Sequence, residues 1–401
     1  MNCIYFDPKK ERNQLLPFTF TRPIAKIRIG ILNIDEKWEK HLQTKENSYL
    51  TESYLSEKYP LIVKSENLLI NGSICPNSII TDEIKKLKAG EALFKNDTLI
   101  AANVKESEIS EFNSENFSGI KIQTKSENIL QVNQVYDIFS KNAQAIEEDF
   151  ELICAGRKSE PIPEGNQVIN PEKVFIEPGA KVLFSILNAS SGPIYIGKNA
   201  EVMEGCKIRG PFALCEDAGL KMDAKIYGAT TVGPHCKVGG EVNNSVFFSY
   251  SNKGHDGFVG NAVIGEWVNM GADTNNSNLK NTYDEVKLWQ YNSQRFEKTG
   301  LTFCGLMMAD HAKCGINTMF NTGTVVGVGA NVFGSGFPRN FIPDFSWGGA
   351  QGFETHVLNK FYKTAEAMCG RRNVVFGDID KALYKTLFEI TAEYRFWENK
   401  L

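Results

Sequence analysis

Aliphatic residues recur at every sixth position through the middle of the chain. Between residues 196 and 238 every position at this spacing is aliphatic: Ile196, Val202, Ile208, Leu214, Leu220, Ile226, Val232 and Val238. Four residues after each of the first seven lies a second position, small in all but one case: Ala200, Cys206, Phe212, Ala218, Ala224, Thr230 and Cys236. A period of six is neither that of a helix nor that of an alternating strand. The pattern predicts a coil with three flat faces, each made of one short strand and one turn.

The repeat extends well beyond this central stretch. The same spacing is found at Ile176, Val182, Phe258, Ile264, Met270, Met308, Cys314, Phe320, Val326 and Val332. Glycines at positions 197, 205, 210, 219, 228, 233, 239 and 240 predict corners where the backbone needs a positive φ. These features resemble the hexapeptide repeats of the left-handed parallel β-helix. The resemblance implies that about half of the chain is a solenoid, whose coils bury the aliphatic ladder against one another.

The segments outside the repeats predict an α/β domain before the solenoid and helices after it. The elements predicted in the α/β domain are a buried strand at 2–6, a polar loop at 7–14, helices at 35–42 and near 52–58, a strand ending at Asn71, a helix at 81–87, a strand pair within 92–104 and a helix at about 131–150. Residues 154–170 contain prolines and no periodicity, which predicts a linker before a solenoid that begins near Val174. The predicted domains are therefore 1–153, 154–352 and 353–401. A polar and aromatic interruption after Ala272 predicts an extruded hairpin.

Composition indicates which classes of partner to expect and in which cellular compartment the protein lies. The chain has 401 residues, enough for two cores, and its net charge of −4 gives no electrostatic footprint for nucleic acid or an anionic membrane. Nine cysteines without a CxxC pair favour buried thiols in a reducing compartment. The N-terminus lacks the apolar core of a signal peptide, and no run reaches the ~18 apolar residues of a membrane span. We therefore expect a cytoplasmic protein that binds neither nucleic acid nor membrane.

The segment from Leu15 to Pro23 resembles the signature of sugar nucleotidyltransferases, in which a glycine-rich loop precedes a Leu-x-Pro-Leu-Thr and Arg-Pro-Lys segment. Here the preceding loop is DPKKERNQ, without glycine, and isoleucine replaces the usual lysine after Pro23. The resemblance implies that the cations Arg22, Lys26 and Arg28 bind nucleotide phosphates. It also aligns Asn71 with an aspartate that binds magnesium in the family. Mg²⁺ and a nucleoside triphosphate are therefore expected only if this domain is active.

The segment from Lys253 to Asn281 resembles the active-site coil of the bifunctional uridyltransferase and acetyltransferase family that makes UDP-N-acetylglucosamine. The residues that match in register are Gly254, His255, Gly260, Ala262, Ile264, Gly265, Val268, Asn269, Gly271, Ala272 and Asn278. The resemblance implies that His255 is the general base that takes a proton as a sugar amine attacks the thioester of acetyl-CoA. It implies that Asn269 lines the sugar pocket and that Asn278 lies near the thioester. A neutral imidazole suits this role, since its ordinary pKa is about 6.5.

Several positions depart from that family or add candidates. Asn243 replaces a lysine that grips phosphate, and Phe258 replaces a tyrosine. Lys253, Lys225 and Arg209 are candidate substitute cations, and Lys253 is counted with the substrate-binding residues. His311, in a polar turn, is the main rival of His255 and a candidate for substrate binding. On the coenzyme side, the resemblance implies contacts from Ala272, from Cys304 where relatives have serine, and from Thr322 where they have alanine.

Together these features predict an enzyme of amino-sugar nucleotide synthesis, with an α/β nucleotidyltransferase-like domain, a left-handed β-helix and a helical tail. The expected reaction is acetylation of an amino-sugar 1-phosphate by acetyl-CoA, with nucleotidyl transfer by the first domain as a second activity leading to a UDP-N-acetylglucosamine-type precursor of cell walls. The resemblance implies a homotrimer whose sites lie between neighbouring solenoids. The alternatives are a nucleotidyltransferase of other specificity, a non-catalytic sugar-nucleotide-binding scaffold, and a zinc hydratase using His235, His255 and His311. The last lacks the close histidine pair of that fold.

Overall fold

The computed structural model describes residues 2–45 and 47–398, which divide into two compact units. The first unit comprises Met1–Ile27 and Leu32–Gln134, and the second comprises Arg28–Ile31 and Val135–Leu401. The predicted fold class is confirmed: an α/β domain is followed by a parallel β-helix and helical segments. Residues 135–153, which the sequence assigns to the first domain, belong by contacts to the second unit.

The first unit is built on a six-stranded mixed sheet. Its strands are β1 Asn2–Phe6, β2 Asn47–Leu50, β3 Glu66–Asn71, β4 Glu91–Lys95, β5 Thr98–Lys105 and β6 Ile120–Gln123. The order across the sheet is β2-β1-β3-β5-β4-β6, in which β1 runs parallel to both of its neighbours. β1 is buried along its whole length, as its continuous apolar sequence predicts. The predicted pair within 92–104 is confirmed as the antiparallel β4 and β5, which turn at Asn96.

The helices of the first part of the chain differ in places from the predicted ones. Those observed are α1 Lys9–Gln14, α2 Ile34–Leu42, α3 Ser78–Ile84, α4 Asp137–Ser140 and α5 Asn142–Cys154, with single 3-10 turns at Phe18–Phe20, Ile24–Lys26, Ser53–Leu55 and Glu106–Glu111 and two-residue strands at Arg28–Ile29 and Leu32–Asn33. The predicted helix at 35–42 is confirmed. The predicted loop at 7–14 is wrong, because residues 9–14 are helical. The predicted helix near 52–58 is only a 3-10 turn, and the one at 131–150 is broken into α4 and α5.

The β-helix has three faces of parallel strands. The first face comprises Val174–Ile176, Ile194–Ile196, Phe212–Leu214, Thr230–Val232, Val246–Phe247, Val263–Ile264, Leu306–Met308, Thr324–Val326 and Phe341–Ile342. The second face comprises Lys181–Val182, Glu201–Val202, Gly219–Leu220, Lys237–Val238, Asn252–Lys253, Asn269–Met270, Lys313–Cys314, Asn331–Val332 and Ser346–Gly349, with the antiparallel Gly352–Thr355 at its end. The third face comprises Gln167–Ile169, Ile186–Asn188, Lys207–Arg209, Lys225–Tyr227, Glu241–Asn243 and Phe258–Gly260, followed by the pair Asn275–Asn276 and Met319–Phe320.

The aliphatic ladder forms the core of the β-helix, as predicted. All eight residues of the strict repeat between 196 and 238 are at most 2% exposed. Ile196 pairs with Leu214 and Leu214 with Val232, so residues three hexapeptides apart stack on one face. The second inward positions are buried as well, from Ala200 to Cys236. Because each side chain contacts its counterparts in adjacent coils, the repeat in the sequence is the repeat of the core.

Three details of the prediction for the β-helix are wrong. After Val238 the coils lose the strict spacing, so that Val259 is the inward residue and Phe258, its neighbour on the same strand, is half-buried on the outer side. Of the eight glycines predicted to have a positive φ, those at 205, 228 and 240 have one and those at 197, 210, 219, 233 and 239 do not; a Cβ at Gly233 would lie 1.3 Å from the carbonyl oxygen of Phe248. Glycine is needed there because adjacent coils approach closely. The first paired strand is also earlier than Val174, at Gln167–Ile169.

The interruption of the ladder is a hairpin, as predicted. Lys287–Gln290 and Arg295–Lys298 pair in antiparallel register. The coils resume directly beyond it, since Ile264 pairs with Met308.

Two tail helices, α6 Leu358–Gly370 and α7 Asp378–Ile390, follow the last coil and are themselves followed by a 3-10 turn, Ala392–Tyr394. Phe361 of α6 and Phe388 of α7 both contact the ring of Phe345 in the last coil. Of the predicted apolar stripe on α7, Leu383 and Leu387 are buried and Ile390 is 45% exposed. None of the helices in the described ranges combines the length and hydropathy that crossing a bilayer requires.

One inward position of the ladder is a lysine. Lys253 stacks after Val238 on the second face and is 1% exposed. Its Nζ donates to the carbonyl oxygen of Gly239 at 2.9 Å. Burial lowers the pKa of Lys253 to about 8 because the low-dielectric core penalises the charged form.

Truncating a ladder residue should destabilise the β-helix. Leu214→Ala removes a fully buried side chain whose neighbours above and below are fixed by strand pairing, so we expect a loss of about 2–5 kcal/mol in the free energy of unfolding. The matched control is Met222→Ala, at a position 65% exposed, with an expected change within about 0.5 kcal/mol. Urea titration followed by circular dichroism measures both. Equal losses in the two variants would contradict the assignment of the core.

The buried charge of Lys253 should appear in the pH dependence of stability. The folded pKa of about 8 lies below the ordinary lysine pKa of 10.5, so the folded chain loses this proton first and the group's contribution to stability increases as pH rises between those values. Relative to Lys253→Met, the wild type should gain on the order of 2–3 kcal/mol from about pH 7.5 to about pH 10. Urea titrations at both pH values test this, with Lys225→Met as the exposed-lysine control. A difference independent of pH would show that the ammonium group is not desolvated.

Candidate functional site

His255 lies in a turn at the edge between the second and third faces of the β-helix. The turn follows the strand Asn252–Lys253 and ends where Phe258–Gly260 begins. Gly257 has a φ of 112°, and a Cβ there would lie 2.2 Å from the carbonyl oxygen of Thr274 in the next coil. The glycine therefore lets the turn pass close to its neighbour. The side chain of His255 is exposed rather than sealed in the core.

Lys253 fixes this turn from the inside. Its Nζ donates to the carbonyl oxygen of His255 at 3.0 Å as well as to Gly239. The ammonium group thus connects the core to the backbone of the proposed base. Lys253 does not line the cavity beside His255. Its hydrogen bond to the turn is direct, whereas its contact with substrate stays a prediction.

A cavity of about 880 Å³ opens beside His255, between the second face and the end of α6. Two other predicted residues, Asn269 and Ala272, line the same cavity. Five basic residues also line the cavity, and the sequence did not identify them as a group. They are Lys221, Lys237, Lys313, Arg371 and Arg372. No local motif marks these five. Three of them lie on separate coils, and the other two directly follow α6, in a distant part of the sequence.

One wall of the cavity belongs to a stack of aromatic rings. His235, Tyr250, Trp267 and His311 follow one another at the same corner of successive coils, with ring centroids 4.6, 4.2 and 6.0 Å apart. All four have a positive φ between 56° and 59°. Tyr250 and Trp267 line the cavity, whereas His311 is 3% exposed and is not among the lining residues. The stack thus holds His311 within the structure of the corner.

The arrangement of the histidines does not suit a shared zinc ion. His235 and His311 are separated by the rings of Tyr250 and Trp267, and zinc needs its ligands within about 2 Å of one point. Within residues 2–45 and 47–398, no group of three or more histidine, cysteine, aspartate or glutamate side chains is placed to hold a metal ion. The geometry of this chain therefore disfavours the hydratase alternative.

The remaining predicted substrate residues cluster on the third face, on the other side of the turn. Asn243 pairs with Gly260, which lies two residues after Phe258 on the strand Phe258–Gly260. A Cβ on Gly260 would lie 2.8 Å from Nδ2 of Asn278, which donates to Oδ1 of Asn261 at 2.8 Å. His255 is thus flanked by Asn269 and Ala272 on the second face and by this group on the third.

A second cavity, of about 790 Å³, lies at the edge between the third and first faces. The predicted coenzyme residue Thr322 lines it, together with the hairpin residue Trp289, which stacks on Phe341 at a centroid distance of 4.2 Å. The basic lining residues are Lys280, Lys287 and Arg339. Cys304 is fully buried behind this surface, and burial raises the pKa of its thiol. Cys304 is therefore a neutral core residue.

In the first unit, a buried ion pair occupies the position at which sugar nucleotidyltransferases have a glycine-rich loop. Arg12 of α1 is 4% exposed and donates to Oδ2 of Asp7 at 2.8 Å and to the carbonyl oxygen of Thr19 at 2.6 Å. Asp7 also accepts from the backbone N–H of Ile24 at 2.9 Å. The buried carboxylate and guanidinium groups thus bind each other and nearby backbone groups. These contacts accompany a short helix in place of a glycine-rich turn.

The predicted nucleotide-binding cations have separate environments. Arg22 is 4% exposed in the first unit, and Lys26 forms an ion pair of 2.7 Å with the buried Asp35. Arg28 belongs to the second unit, where its guanidinium donates to the carbonyl oxygen of Ile31. The cavity of about 280 Å³ in the first unit is lined by residues between 90 and 119 and by neither Arg22 nor Lys26.

The position that the family gives to a magnesium ligand does not fit a metal ion in this chain. Asn71 is 3% exposed; its Nδ2 donates to Leu99 at 2.9 Å, and its Oδ1 accepts from the N–H and hydroxyl of Ser73. Both ends of the amide are engaged within the protein, so no oxygen is directed towards a cation.

The N-terminal part of the chain matches a known family. Residues 3–158 match the sequence model described as "Sugar nucleotidyl transferase". Among solved structures, an Arabidopsis UDP-N-acetylglucosamine acyltransferase is similar at 10% identity and a TM-score of 0.28, over 59% of this chain and 94% of that one. The N-acyltransferase AntD from Bacillus cereus is similar at 13% identity and a TM-score of 0.19, over 50% and 86%.

Two relatives whose names describe bifunctional proteins match part of this chain. "Bifunctional protein GlmU" of Thermus thermophilus is 27% identical over 140 residues, 29% of this chain and 30% of that protein. "Bifunctional sugar-1-phosphate nucleotidylyltransferase/acetyltransferase" of Sulfurisphaera tokodaii is 29% identical over 144 residues, 35% of each. The chain thus matches about a third of the length of these relatives. Residues 3–158 thus resemble sugar nucleotidyl transferases, and about a third of this chain is similar in sequence to the bifunctional GlmU proteins.

Proposed function

We propose that the β-helix transfers an acetyl group from acetyl-CoA to the amine of an amino-sugar 1-phosphate. The observation that carries this proposal is the exposed imidazole of His255 on the border of a cavity of about 880 Å³ that Asn269 and Ala272 also line. The cavity is large enough for a sugar phosphate. The names of the GlmU relatives support the same chemistry.

In the proposed reaction, His255 acts as the general base. The sugar nitrogen attacks the thioester carbonyl while the imidazole accepts a proton from the amine. The new C–N bond forms as the C–S bond breaks, and the departing thiolate takes the proton from the imidazolium to give free CoA. Positioned proton transfer of this kind contributes about 10²–10⁴ in rate. Lys253 holds the turn of His255 by its hydrogen bond to the backbone, which keeps the imidazole at the cavity.

The second cavity is the proposed binding site for the coenzyme. The aromatic rings of Trp289 and Phe341 suit the adenine base, and Lys287 and Arg339 suit its phosphates. This cavity lies between the third and first faces, whereas His255 lies between the second and third. Base and coenzyme are therefore at different edges of the prism formed by one chain. This separation supports a homotrimer in which neighbouring copies complete each site, and the nine free cysteines support the cytoplasm as its location.

The proposed role of His255 has a direct test. His255→Ala should lower the release of free thiol from acetyl-CoA plus glucosamine 1-phosphate at least a hundredfold, because the variant lacks the imidazole that is the proposed acceptor of the amine proton. His41→Ala in the first unit is the histidine-matched control and should retain activity, and circular dichroism checks the fold of both variants. Unchanged turnover in a folded His255→Ala protein would refute the role.

A second activity, nucleotidyl transfer by the first unit, is supported by the family match of residues 3–158. The helix at 9–14 and the engaged amide of Asn71 set this domain apart from the family's usual nucleotide site, so no metal-dependent step is derived for it. A nucleotidyltransferase of other specificity and a sugar-nucleotide-binding scaffold are the corresponding alternatives.

Pyrophosphate release separates these alternatives. Incubation with each of the four common nucleoside triphosphates and N-acetylglucosamine 1-phosphate should release pyrophosphate if the domain is active, and Arg22→Ala should reduce that release at least tenfold. Because Arg22 is buried, Arg22→Lys serves as the variant that retains charge and volume. No release with any nucleotide would leave the scaffold as the function of this domain.

A further inference from the structure

The cavity beside His255 has a strongly cationic lining. Lys221, Lys237 and Lys313 extend into it from three coils of the second face, and Arg371 and Arg372 follow directly after α6. No described residue among its lining is acidic. Across residues 2–45 and 47–398, none of the five forms an ion pair with a carboxylate. The five cations therefore line one cavity without an ion-pair partner among the described residues, and the carboxylates of Glu201 and Asp217 offset only part of the effects that lower the pKa of Lys237.

The positions of several of these cations are fixed by neutral oxygen atoms. Arg372 donates to Oδ1 of Asn252 at 3.2 Å, which anchors the end of α6 to the second face. Lys237 donates to the carbonyl oxygen of Asp217 at 3.0 Å, and Lys313 to that of His311 at 2.9 Å. An ammonium group has three donors, so each lysine has two more for a ligand.

The electrostatics of the cavity oppose the charged state of its own lysines. Burial lowers the pKa of Lys237, and the charges of Arg372 and Lys221 lower it further. Burial likewise lowers the pKa of Lys313 to about 8. A dianion at the centre would reverse these effects, because each cation would gain an opposite charge and a charge-assisted hydrogen bond. The geometry thus favours phosphate over a neutral ligand.

We propose that this cluster binds the phosphate group of the acceptor sugar, and that Arg371 and Arg372 of the C-terminal segment provide its principal contacts. The inference rests on the proposed acyl transfer and specifies how its substrate is held. In glucosamine 1-phosphate the amine on C2 is adjacent to the phosphate-bearing C1, so a phosphate held at the end of α6 leaves the amine within the cavity that His255 borders. Tyr250 and Trp267 offer an aromatic wall of the same cavity. The C-terminal helix, which lies outside the β-helix, thereby selects for phosphorylated sugars.

Binding measurements test this proposal without any assumption about catalysis. Isothermal titration of the full chain with glucosamine 1-phosphate should give saturable binding, and the double variant Arg371→Ala/Arg372→Ala should weaken it at least tenfold. Glucosamine, which lacks the phosphate, should bind weakly to both proteins. Affinity for glucosamine 1-phosphate should also fall with added salt. Circular dichroism shows whether the double variant keeps its helices, and Arg372→Lys is the charge-retaining variant.

The rival pair is Arg209→Ala/Lys225→Ala, the two third-face cations that the sequence analysis named as candidate substitutes for the phosphate-binding lysine. These exposed cations lie on the third face and do not line the cavity, so their removal should leave affinity within twofold. If this pair weakens binding and the arginine pair does not, the phosphate is held on the third face and the proposal is overturned.

Kinetic data distinguish this inference from the proposed function. If the chain transfers acetyl groups but the arginine pair leaves the KM for the phosphorylated acceptor unchanged, the phosphate site is overturned and acyl transfer stands. If no transfer occurs to any amino sugar while binding still depends on the arginine pair, acyl transfer is overturned and the phosphate site stands.

Discussion

The architecture depends on one packing constraint: each coil of the β-helix can bury its inward side chains only against the coils on either side. A residue such as Leu214 contacts its counterparts Ile196 and Val232, and the ladder has no other apolar partner of comparable area. The inward positions are therefore mostly aliphatic or small, with a few aromatic rings such as that of Phe212 and with glycine where coils approach closely. The outward positions and corners carry no such restriction, and the candidate chemistry of this chain lies on them.

Insertions and functional side chains at the corners of the β-helix leave the pairing of the ladder residues unchanged. A hairpin leaves the coil after the strand Asn275–Asn276, yet Ile264 pairs directly with Met308 on the far side of the insertion. At another corner, four rings with positive φ stack from His235 to His311 and form part of a cavity wall. Lys253 is the exception to the separation of core and site. Its buried ammonium group links an inward position to the backbone of the turn that carries His255.

The first unit retains its sheet while its expected phosphate loop has been replaced. Asp7 and Arg12 neutralise each other within a buried network that includes the backbone of Thr19 and Ile24. Breaking such a pair on one side leaves an uncompensated buried charge, so the network fixes a helix where nucleotide-binding relatives need an open turn. The match of residues 3–158 to sugar nucleotidyl transferases and the altered loop are thus compatible, because a fold can be kept while its site changes.

The sequence by itself determined the three-sided coil, its core and the location of the hairpin, because a period of six admits only one periodic structure and each element of it is local. It also singled out His255, Asn269 and Ala272, which lie together because Asn269 and Ala272 belong to the coil that stacks directly on the coil of His255. It could not determine that Lys253 faces inward, since the coils beyond Val238 change length and the register shifts. Nor could it predict the cationic cavity, because Lys221, Lys237, Lys313, Arg371 and Arg372 are scattered over about 150 residues. Only the stacking of coils and the return of α6 onto the second face bring those charges together.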